Sequence, residues 1–265
     1  MFLILLYTFA YTAGGIVGLA IVLTFLNRIR RVIGQRTLDR LARAPALDVI
    51  VAAFTWFPWV FGLSNAGWPG LVAAFLGQVA GMLLWVLWHE RRHADAIKGP
   101  TIYRTLNRLV GRWQNHAALW VTMIALPGFW FIRLMEYVCY PMLVVLLKFP
   151  KYRQGDWVNV SRQKFEGLVG HDLIWCLYCD WMTGVYSLGA EMLRNVESFW
   201  CPIRFYDGKK CDNCKLDFPD VTNGWVPPDG SMGDVVATLE KQYGDGRREW
   251  FNHPARLTIN GKPVE

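Results

Sequence analysis

The chain has 265 residues, a formal net charge of +7 and a hydrophobic content of 53%. Its 14 Trp and 15 Phe residues are typical of membrane interfaces, where a ring combines apolar surface with a polar edge. A basic chain can bind nucleic acid, but the arginines here cluster in short loops between apolar stretches, where they set membrane topology. We therefore expect the lipid bilayer, and not nucleic acid, as the partner of this chain.

A change in composition near residue 148 predicts two domains. Residues 1–148 are dominated by apolar runs, whereas residues 149–265 are polar, charged and punctuated by Gly and Pro. We predict a mainly α, polytopic membrane domain with three transmembrane helices plus a re-entrant or interfacial helical stretch. A small Cys-rich α+β module with β-hairpins follows it and lies on the membrane surface.

Three uncharged stretches predict the transmembrane helices. Residues 2–26 are long enough to cross the hydrocarbon core, and they lack the basic start of a cleaved signal peptide. Residues 49–88 are also uncharged and provide two spans, at about 49–64 and 70–88. The intervening segment Ser64–Gly70 is rich in turn-forming residues.

The last apolar stretch, residues 117–147, is interrupted by prolines and charges: Pro127, Arg133, Glu136 and Pro141. It is too short for two full crossings, which need about 40 residues. We expect a re-entrant hairpin or a surface helix broken at Pro127, with a single tilted crossing as the alternative. Arg133 and Glu136 lie one helical turn apart, so an ion pair inside the membrane is expected.

The distribution of basic residues predicts the orientation. Lys and Arg cluster after residue 26, after residue 88 and after residue 147. Because cytoplasmic loops carry the excess of these residues, we expect the N-terminus outside and the C-terminal module in the cytoplasm. The membrane would be the inner or plasma membrane of a bacterium.

Two glycine patterns indicate close helix packing in the membrane. Gly14, Gly15 and Gly18 lie along the first span, and Gly77 and Gly81 have GxxxG spacing on the third. Small residues of this kind let two helix backbones approach each other.

The C-terminal region contains a set of cysteines with metal-ligand spacing. Cys176/Cys179 and Cys211/Cys214 are CxxC pairs that bracket Cys201, and His171 precedes them. Four such thiolates can close a structural site, with zinc the first expectation and an iron–sulfur cluster the second. Cys201 and His171 are spare ligands. Disulfides or free thiols are the alternatives.

Two β-hairpins are predicted beyond this helix-rich part. Ile203–Tyr206 is followed by the turn signal Asp207-Gly208. A second alternation, residues 257–264, turns at Asn260-Gly261.

A second metal motif occurs where the third span leaves the membrane. His89, Glu90 and His93 form HExxH, which places both histidines on one helix face and makes Glu90 a general base on metal-bound water. A catalytic zinc needs a third protein ligand, for which the candidates are His116, Glu136 and His171. The alternative is a polar helix end at headgroup depth.

The segment Asn223–Gly230, with the sequence NGWVPPDG, resembles the PDG-containing second motif of intramembrane site-2-type zinc proteases. In that family the motif lies in a membrane helix, whereas here it lies in a polar tail.

Two functions are consistent with these observations. The first is a membrane-anchored accessory or structural subunit of a larger membrane complex, for example a bioenergetic one, with a Cys-ligated structural metal. The second is an integral-membrane metalloenzyme, such as a zinc-dependent hydrolase or protease, which uses Glu90 as its base. The first function requires partner subunits and the second requires a substrate, and the sequence identifies neither.

Overall fold

The computed structural model describes residues 1–206 and 224–246, together with two short strands near the C-terminus. The chain is mainly helical, as predicted. The helices are α1 (Phe2–Arg28), α2 (Arg30–Ile33), α3 (Gln35–Leu41), α4 (Ala46–Phe54), α5 (Phe57–Arg92), α6 (Ala94–Lys98), α7 (Ile102–Val110), α8 (Arg112–Met123), α9 (Leu126–Leu147), α10 (Gln154–Trp157), α11 (Gly170–Trp200) and α12 (Met232–Tyr243), with a 3-10 turn at Arg162–Lys164.

The helices form two compact units. The first comprises Met1–Ala125 and Gln154–Gly184, and the second comprises Leu126–Arg153 and Val185–Glu265. Helix α11 contributes to both units, since the division falls within it. These units are defined by which residues pack together in space, whereas the predicted boundary at residue 148 was placed at a change in amino-acid composition.

Three segments of the described residues are long and apolar enough to cross a membrane: Phe2–Arg28, Phe57–Arg92 and Arg112–Leu147. This finding supports an integral membrane protein with a lipid environment. Residues 117–147 were expected to be re-entrant or interfacial and broken at Pro127, with a single crossing as the alternative. The segment Arg112–Leu147 is interrupted between α8, which ends at Met123, and α9, which begins at Leu126, and as a whole it is long and apolar enough to cross a membrane. Proline suits this position, since the first turn of a helix has no use for its missing N–H.

Helix α5 contains a chain reversal. Ala66 and Gly67 have non-helical backbone angles, and Gly67 has a positive φ of 59°. A Cβ built on Gly62 would collide with the carbonyl of Gly70, so the two arms lie against each other. The Trp59 indole also donates to the Gln78 side chain at 2.7 Å. The turn predicted between the second and third apolar stretches is therefore located at residues 66–67.

The two glycine patterns behave differently. A Cβ on Gly77 would lie 2.5 Å from the Phe9 carbonyl oxygen, and one on Gly81 would lie 2.8 Å from the Ala13 carbonyl oxygen, so this pair lets α5 pack closely against α1. By contrast, a Cβ on Gly14 or on Gly18 would meet nothing within 4 Å. Within the described residues, the predicted packing face on α1 has no partner helix.

Buried polar anchors hold the first unit together. Trp181 of α11 is fully buried, and its indole N–H donates to the buried carboxylate of Asp48 at 2.9 Å. The segment after α10 pairs with the residues before α4: Ala44 N donates to Val158 O, and Val160 N donates to Ala42 O, both at 2.9 Å. These contacts fix α11 against the N-terminal helices.

The second unit contains a cluster of buried polar side chains that hydrogen-bond to one another. The Asn195 side-chain amide lies 2.6 Å from the Tyr152 hydroxyl and 3.2 Å from the Tyr140 hydroxyl. Tyr140 donates onward to the Pro150 carbonyl at 3.1 Å, and Tyr152 donates to the Glu191 carboxylate at 3.3 Å. Burial raises the pKa of Tyr152, and Glu191 adds to this effect, so the phenol remains protonated.

The expected ion pair of α9 is present in the same unit. The Arg133 guanidinium donates to the Glu136 carboxylate, and both side chains are almost fully buried. Arg133 also donates to the Tyr137 hydroxyl at 2.8 Å. A charge in an apolar environment is tolerated when a partner of opposite sign is in contact with it.

The prediction of a β-hairpin module is not supported. Ile203 forms one isolated parallel bridge with Val226, and the turn Asp207-Gly208 lies outside the described residues. Near the C-terminus, the two-residue strands Thr258–Ile259 and Lys262–Pro263 pair antiparallel, which is too little for an α+β module. The described residues of this region also include the helix α12, which the sequence analysis did not predict.

Candidate functional site

The HExxH motif lies at the C-terminal end of α5, where it caps another helix. The Gly170 N–H at the start of α11 donates to His89 Nδ1 at 3.0 Å, and the His171 N–H lies 3.5 Å from Glu90 Oε1. The first N–H groups of any helix lack intrahelical acceptors, and here two side chains of α5 supply them. Gly170 has a φ of +52° and would collide with Glu90 if it carried a Cβ, so glycine is required at this position.

Two acidic residues of α11 cap further segments of the first unit. The Asp172 carboxylate accepts from Ile102 N at 2.9 Å and from Tyr103 N at 3.0 Å, which caps α7. The Asp180 carboxylate accepts from Ser161 N at 2.7 Å and from Arg162 N at 3.1 Å, at the start of the 3-10 turn. A negative charge at a helix N-terminus is also favoured by the helix dipole.

The capping role fixes the geometry of the HExxH residues. His89 uses Nδ1 as an acceptor, and His93 Nδ1 lies 2.9 Å from the His89 carbonyl oxygen. The two imidazole rings lie against each other with centroids 4.2 Å apart. Among the described residues, no three His, Cys, Asp or Glu side chains converge in a geometry that could hold a metal ion.

The proposed third ligands of that motif have other partners. The His116 Nε2 lies 2.7 Å from the Tyr103 hydroxyl, and the Trp175 indole N–H donates to His171 Nε2 at 3.1 Å. Glu136 belongs to the second unit, where it pairs with Arg133.

A cavity of about 330 Å³ lies in the first unit next to these residues. It is lined by α7, α8, α11 and Arg162, and its walls are mainly apolar and aromatic. Its principal lining side chains are Tyr103, Leu106, Leu119, His171, Trp175, Cys176, Tyr178, Cys179 and Met182. The volume is at the lower end of the range for small-molecule sites.

Two polar atoms on the lining residues are buried without a partner among the described residues: His171 Nδ1 and Tyr178 Oη. An indole N–H can only donate, so His171 Nε2 must be an acceptor, and the proton of the neutral ring is on Nδ1. Burial lowers the pKa of His171, with His116 acting in the same direction and Asp172 opposing it. Burial also raises the pKa of Tyr178 to about 12. Both groups are therefore neutral hydrogen-bond donors at pH 7.

The cysteines are divided between the two units. Cys176 and Cys179 lie on α11 and line the cavity, while the exposed Cys201 belongs to the second unit. Burial raises the pKa of the Cys176 thiol, so this group is protonated at neutral pH. Cys211 and Cys214 lie outside the described residues.

Sequence reasoning missed the aromatic residues that line the cavity. Tyr103 precedes His116 by 13 residues. This spacing does not predict a contact from the sequence alone, because the contact depends on how α7 and α8 pack side by side. Trp175 and Tyr178 had a visible signal, because they follow His171 at i+4 and i+7 on one helix face.

In comparisons with protein-family models, with curated proteins and with solved structures, nothing matches this chain.

Proposed function

We propose that this chain is a membrane-anchored accessory or structural subunit of a larger membrane complex. The observation that carries the proposal is the engagement of His89 and Glu90 as caps of α11. These residues would be the catalytic centre of the rival metalloenzyme. Their contacts with backbone N–H groups instead give them a structural role.

The chemistry of a hydrolytic zinc site explains why this observation favours the subunit. Such a site needs three protein ligands and a carboxylate directed at metal-bound water. Glu90 here contacts the backbone at Gly170 and His171, and both remaining histidine candidates have hydrogen-bonded partners. An enzyme would have to break these contacts to assemble its centre.

The glycine face of α1, formed by Gly14 and Gly18, supports the proposal that another subunit binds this chain within the membrane. Gly14 and Gly18 have GxxxG spacing, and nothing within the described residues covers them. In a bilayer, helices associate through close packing at small residues because lipid tails are as apolar as leucine. We propose that a helix of another subunit packs on this face.

A structural metal held by Cys176, Cys179, Cys211 and Cys214 completes the proposal, with zinc favoured over an iron–sulfur cluster. Cys176 and Cys179 are three residues apart on α11, a spacing that places both side chains on one face. Cys201 or His171 would be a substitute ligand. Structural metal binding contributes directly to folding free energy.

The decisive experiment is elemental analysis of the detergent-purified full chain beside Cys211→Ser and His89→Ala. We expect about one zinc per chain in the wild type and in His89→Ala, and loss of the metal in Cys211→Ser. Metal lost in His89→Ala would favour the metalloenzyme. Absence of metal from all three would contradict both metal sites and favour disulfides, hence an external C-terminal module.

The subunit role is tested separately by Glu90→Gln, which keeps a side-chain oxygen to accept from His171 N–H. We expect this variant to be extracted in mild detergent as the same large complex as the wild type. A wild-type chain that migrates alone as a monomer would contradict the accessory role.

A further inference from the structure

The second half of α11, residues 185–200, keeps its charged side chains away from its exposed face. Glu191 is buried, as is the amide residue Asn195. The other two charged residues, Arg194 and Glu197, pair with each other at 2.6 Å, and neither belongs to the exposed residues of the helix. A helix that faces water usually has the opposite arrangement, with charged groups outside and apolar groups inside.

The outer face of the same half-helix is apolar and aromatic. Its exposed residues are Tyr186, Leu193 and Trp200, each 57–64% exposed. They recur every seven residues, which is close to two helical turns, so they form one stripe. At 1.5 Å per residue the stripe is about 21 Å long, roughly two thirds of the hydrocarbon thickness of a bilayer.

Helix α9 has the same inverted arrangement. Its two charged residues, Arg133 and Glu136, form the buried ion pair, whereas every exposed residue of α9 is uncharged. Val145 and Leu146 are the most exposed, at 80% and 72%. Because α9 belongs to a segment long and apolar enough to cross a membrane, lipid is the natural environment of this outer surface.

The outer face of α11 continues the surface of α9, because the two helices run side by side. A Cβ on Gly189 would lie 2.9 Å from the Ile132 side chain. Further along, the Asn195 amide lies 3.2 Å from the Tyr140 hydroxyl. Residue numbers rise together on both helices, so the two are parallel, and residues 185–200 accompany α9 through most of its length.

Helix α12 of the same unit has the ordinary arrangement of a helix in water. Its exposed residues include Asp234, Glu240 and Lys241, and it buries Val235. The inverted arrangement is therefore a local property of α9 and of the second half of α11.

We propose that residues 185–200 of α11 lie in the hydrocarbon core of the bilayer beside α9, with Tyr186, Leu193 and Trp200 in contact with lipid acyl chains. Helix α11 is not among the three segments long and apolar enough to cross a membrane, because its inward charged residues lower its mean hydropathy. Membrane helices carry such residues on the side that faces other helices. The inference does not rest on the proposed metal or on the proposed partner subunit.

The test compares Leu193→Cys with Val236→Cys in the purified full chain, reconstituted in lipid nanodiscs that leave both membrane surfaces open to water. Val236 lies on α12 and is 50% exposed, against 57% for Leu193, so the two positions are matched in exposure. A charged, membrane-impermeant maleimide is added, and peptide mass spectrometry reads each site separately from the native cysteines. Because maleimide reacts with the thiolate, which an apolar environment disfavours, we expect Leu193→Cys to react at least about tenfold more slowly.

Circular dichroism melts establish that both variants are folded, and modification in SDS should bring them to equal rates. A lipid-soluble carbene photolabel is then applied to the wild type, where we expect it to modify the peptide that contains Leu193. Equal maleimide rates in the nanodiscs would place this face in water and overturn the proposal. Protection of residue 193 from both reagents would mean that a second copy of the chain covers the face, and this result would also overturn it.

Discussion

Two sets of buried groups, one in each unit, differ in how their hydrogen-bonding atoms are paired. In the second unit, the hydroxyls of Tyr140 and Tyr152 both meet Asn195 and both donate onward to acceptors of the same unit. In the first unit, His171 Nδ1 and Tyr178 Oη belong to residues that line a cavity, and both atoms are buried without partners among the described residues. The tyrosine hydroxyls of the second unit are therefore paired within the chain, whereas these two atoms of the first unit are not.

The glycine pairs repeat this contrast. Backbone atoms of α1 occupy the space where a Cβ of Gly77 or Gly81 would lie, whereas a Cβ of Gly14 or Gly18 would meet nothing within 4 Å. Sequence features of the same type therefore divide into those that pack against another helix of this chain and those that meet nothing within the described residues. Substitutions should separate the two classes, because only the first class should affect the free energy of unfolding.

The largest effect is expected for Gly77→Leu. The new side chain would meet the Phe9 backbone, which cannot move away as a flexible side chain can, so α1 and α5 would separate. We expect a misassembled chain with a strongly lowered Tm in detergent. The control is Gly18→Leu, which meets open space and should melt as the wild type does. Equal Tm losses for both variants would contradict the division.

Asn195→Leu should be the next most severe change. It removes the donor that both tyrosine hydroxyls share and leaves them buried with incomplete hydrogen bonding. We expect a loss of about 2–3 kcal/mol in the free energy of unfolding, measured by denaturant titration. Thr183→Val is a suitable control, because the Thr183 hydroxyl bonds only within its own helix and is exposed.

His89→Phe tests the cap at the start of α11. Phenylalanine preserves the ring that stacks on Trp85 at 4.6 Å but cannot accept from the Gly170 N–H. We expect a loss of about 1–2 kcal/mol, the usual range for a helix cap. His93→Phe, at an exposed position, should cost less. If the two variants had equal stabilities, the cap would have no energetic role.

A smaller effect is expected from the titration of Asp234 at the start of α12. Asp234 and Ser231 form a capping box, and the hydrogen bonds from Ser231 lower the pKa of this carboxyl. The folded-state pKa is depressed, so the stabilisation is present above the ordinary carboxyl pKa and is lost as pH falls through the lowered value. The protection factors of the α12 amides, which are corrected for the intrinsic pH dependence of exchange, should therefore fall in acid. Asp234→Asn should remove that pH dependence.

The smallest effect on stability is expected for Tyr178→Phe. Its hydroxyl has no hydrogen-bond partner to lose among the described residues. Removing the hydroxyl therefore removes the free-energy cost of burying an unpaired polar group. We expect the free energy of unfolding to change by less than about 0.5 kcal/mol or to rise slightly. A loss as large as that of Asn195→Leu would mean that the Tyr178 hydroxyl is already satisfied within the chain.

The sequence was most informative where one local property decides the structure. An uncharged run predicted α1, but the predicted span 49–64 is divided between α4 and α5, and the third candidate span is Arg112–Leu147, where we expected a re-entrant or interfacial stretch. Pro127 predicted the break before α9, and the Arg133–Glu136 spacing predicted their ion pair. Each of these depends on a few neighbouring residues. The same reasoning had the means to find α12, since the Ser231–Asp234 capping box is visible in the sequence.

The candidate site was harder to predict because its contacts join distant residues. Asp172 caps a helix that begins 70 residues earlier, and His89 accepts from a residue 81 positions later. The HExxH pattern therefore suggested metal chemistry, while the acceptor role of His89 and Glu90 depends on a helix end that only the fold brings to them. The cavity itself is a property of three helices and has no signature in any one of them.

The reciprocal caps also have a consequence for the order of folding during synthesis. Helix α7 receives acceptors for its first N–H groups from Asp172, which leaves the ribosome 70 residues after Ile102. In a nascent chain that ends before α11, only the local cap from the Thr101 side chain to Arg104 N is available, and the N–H groups of Ile102 and Tyr103 still lack the Asp172 carboxylate. We therefore expect the first turn of α7 to reach its full stability only after α11 has been synthesised.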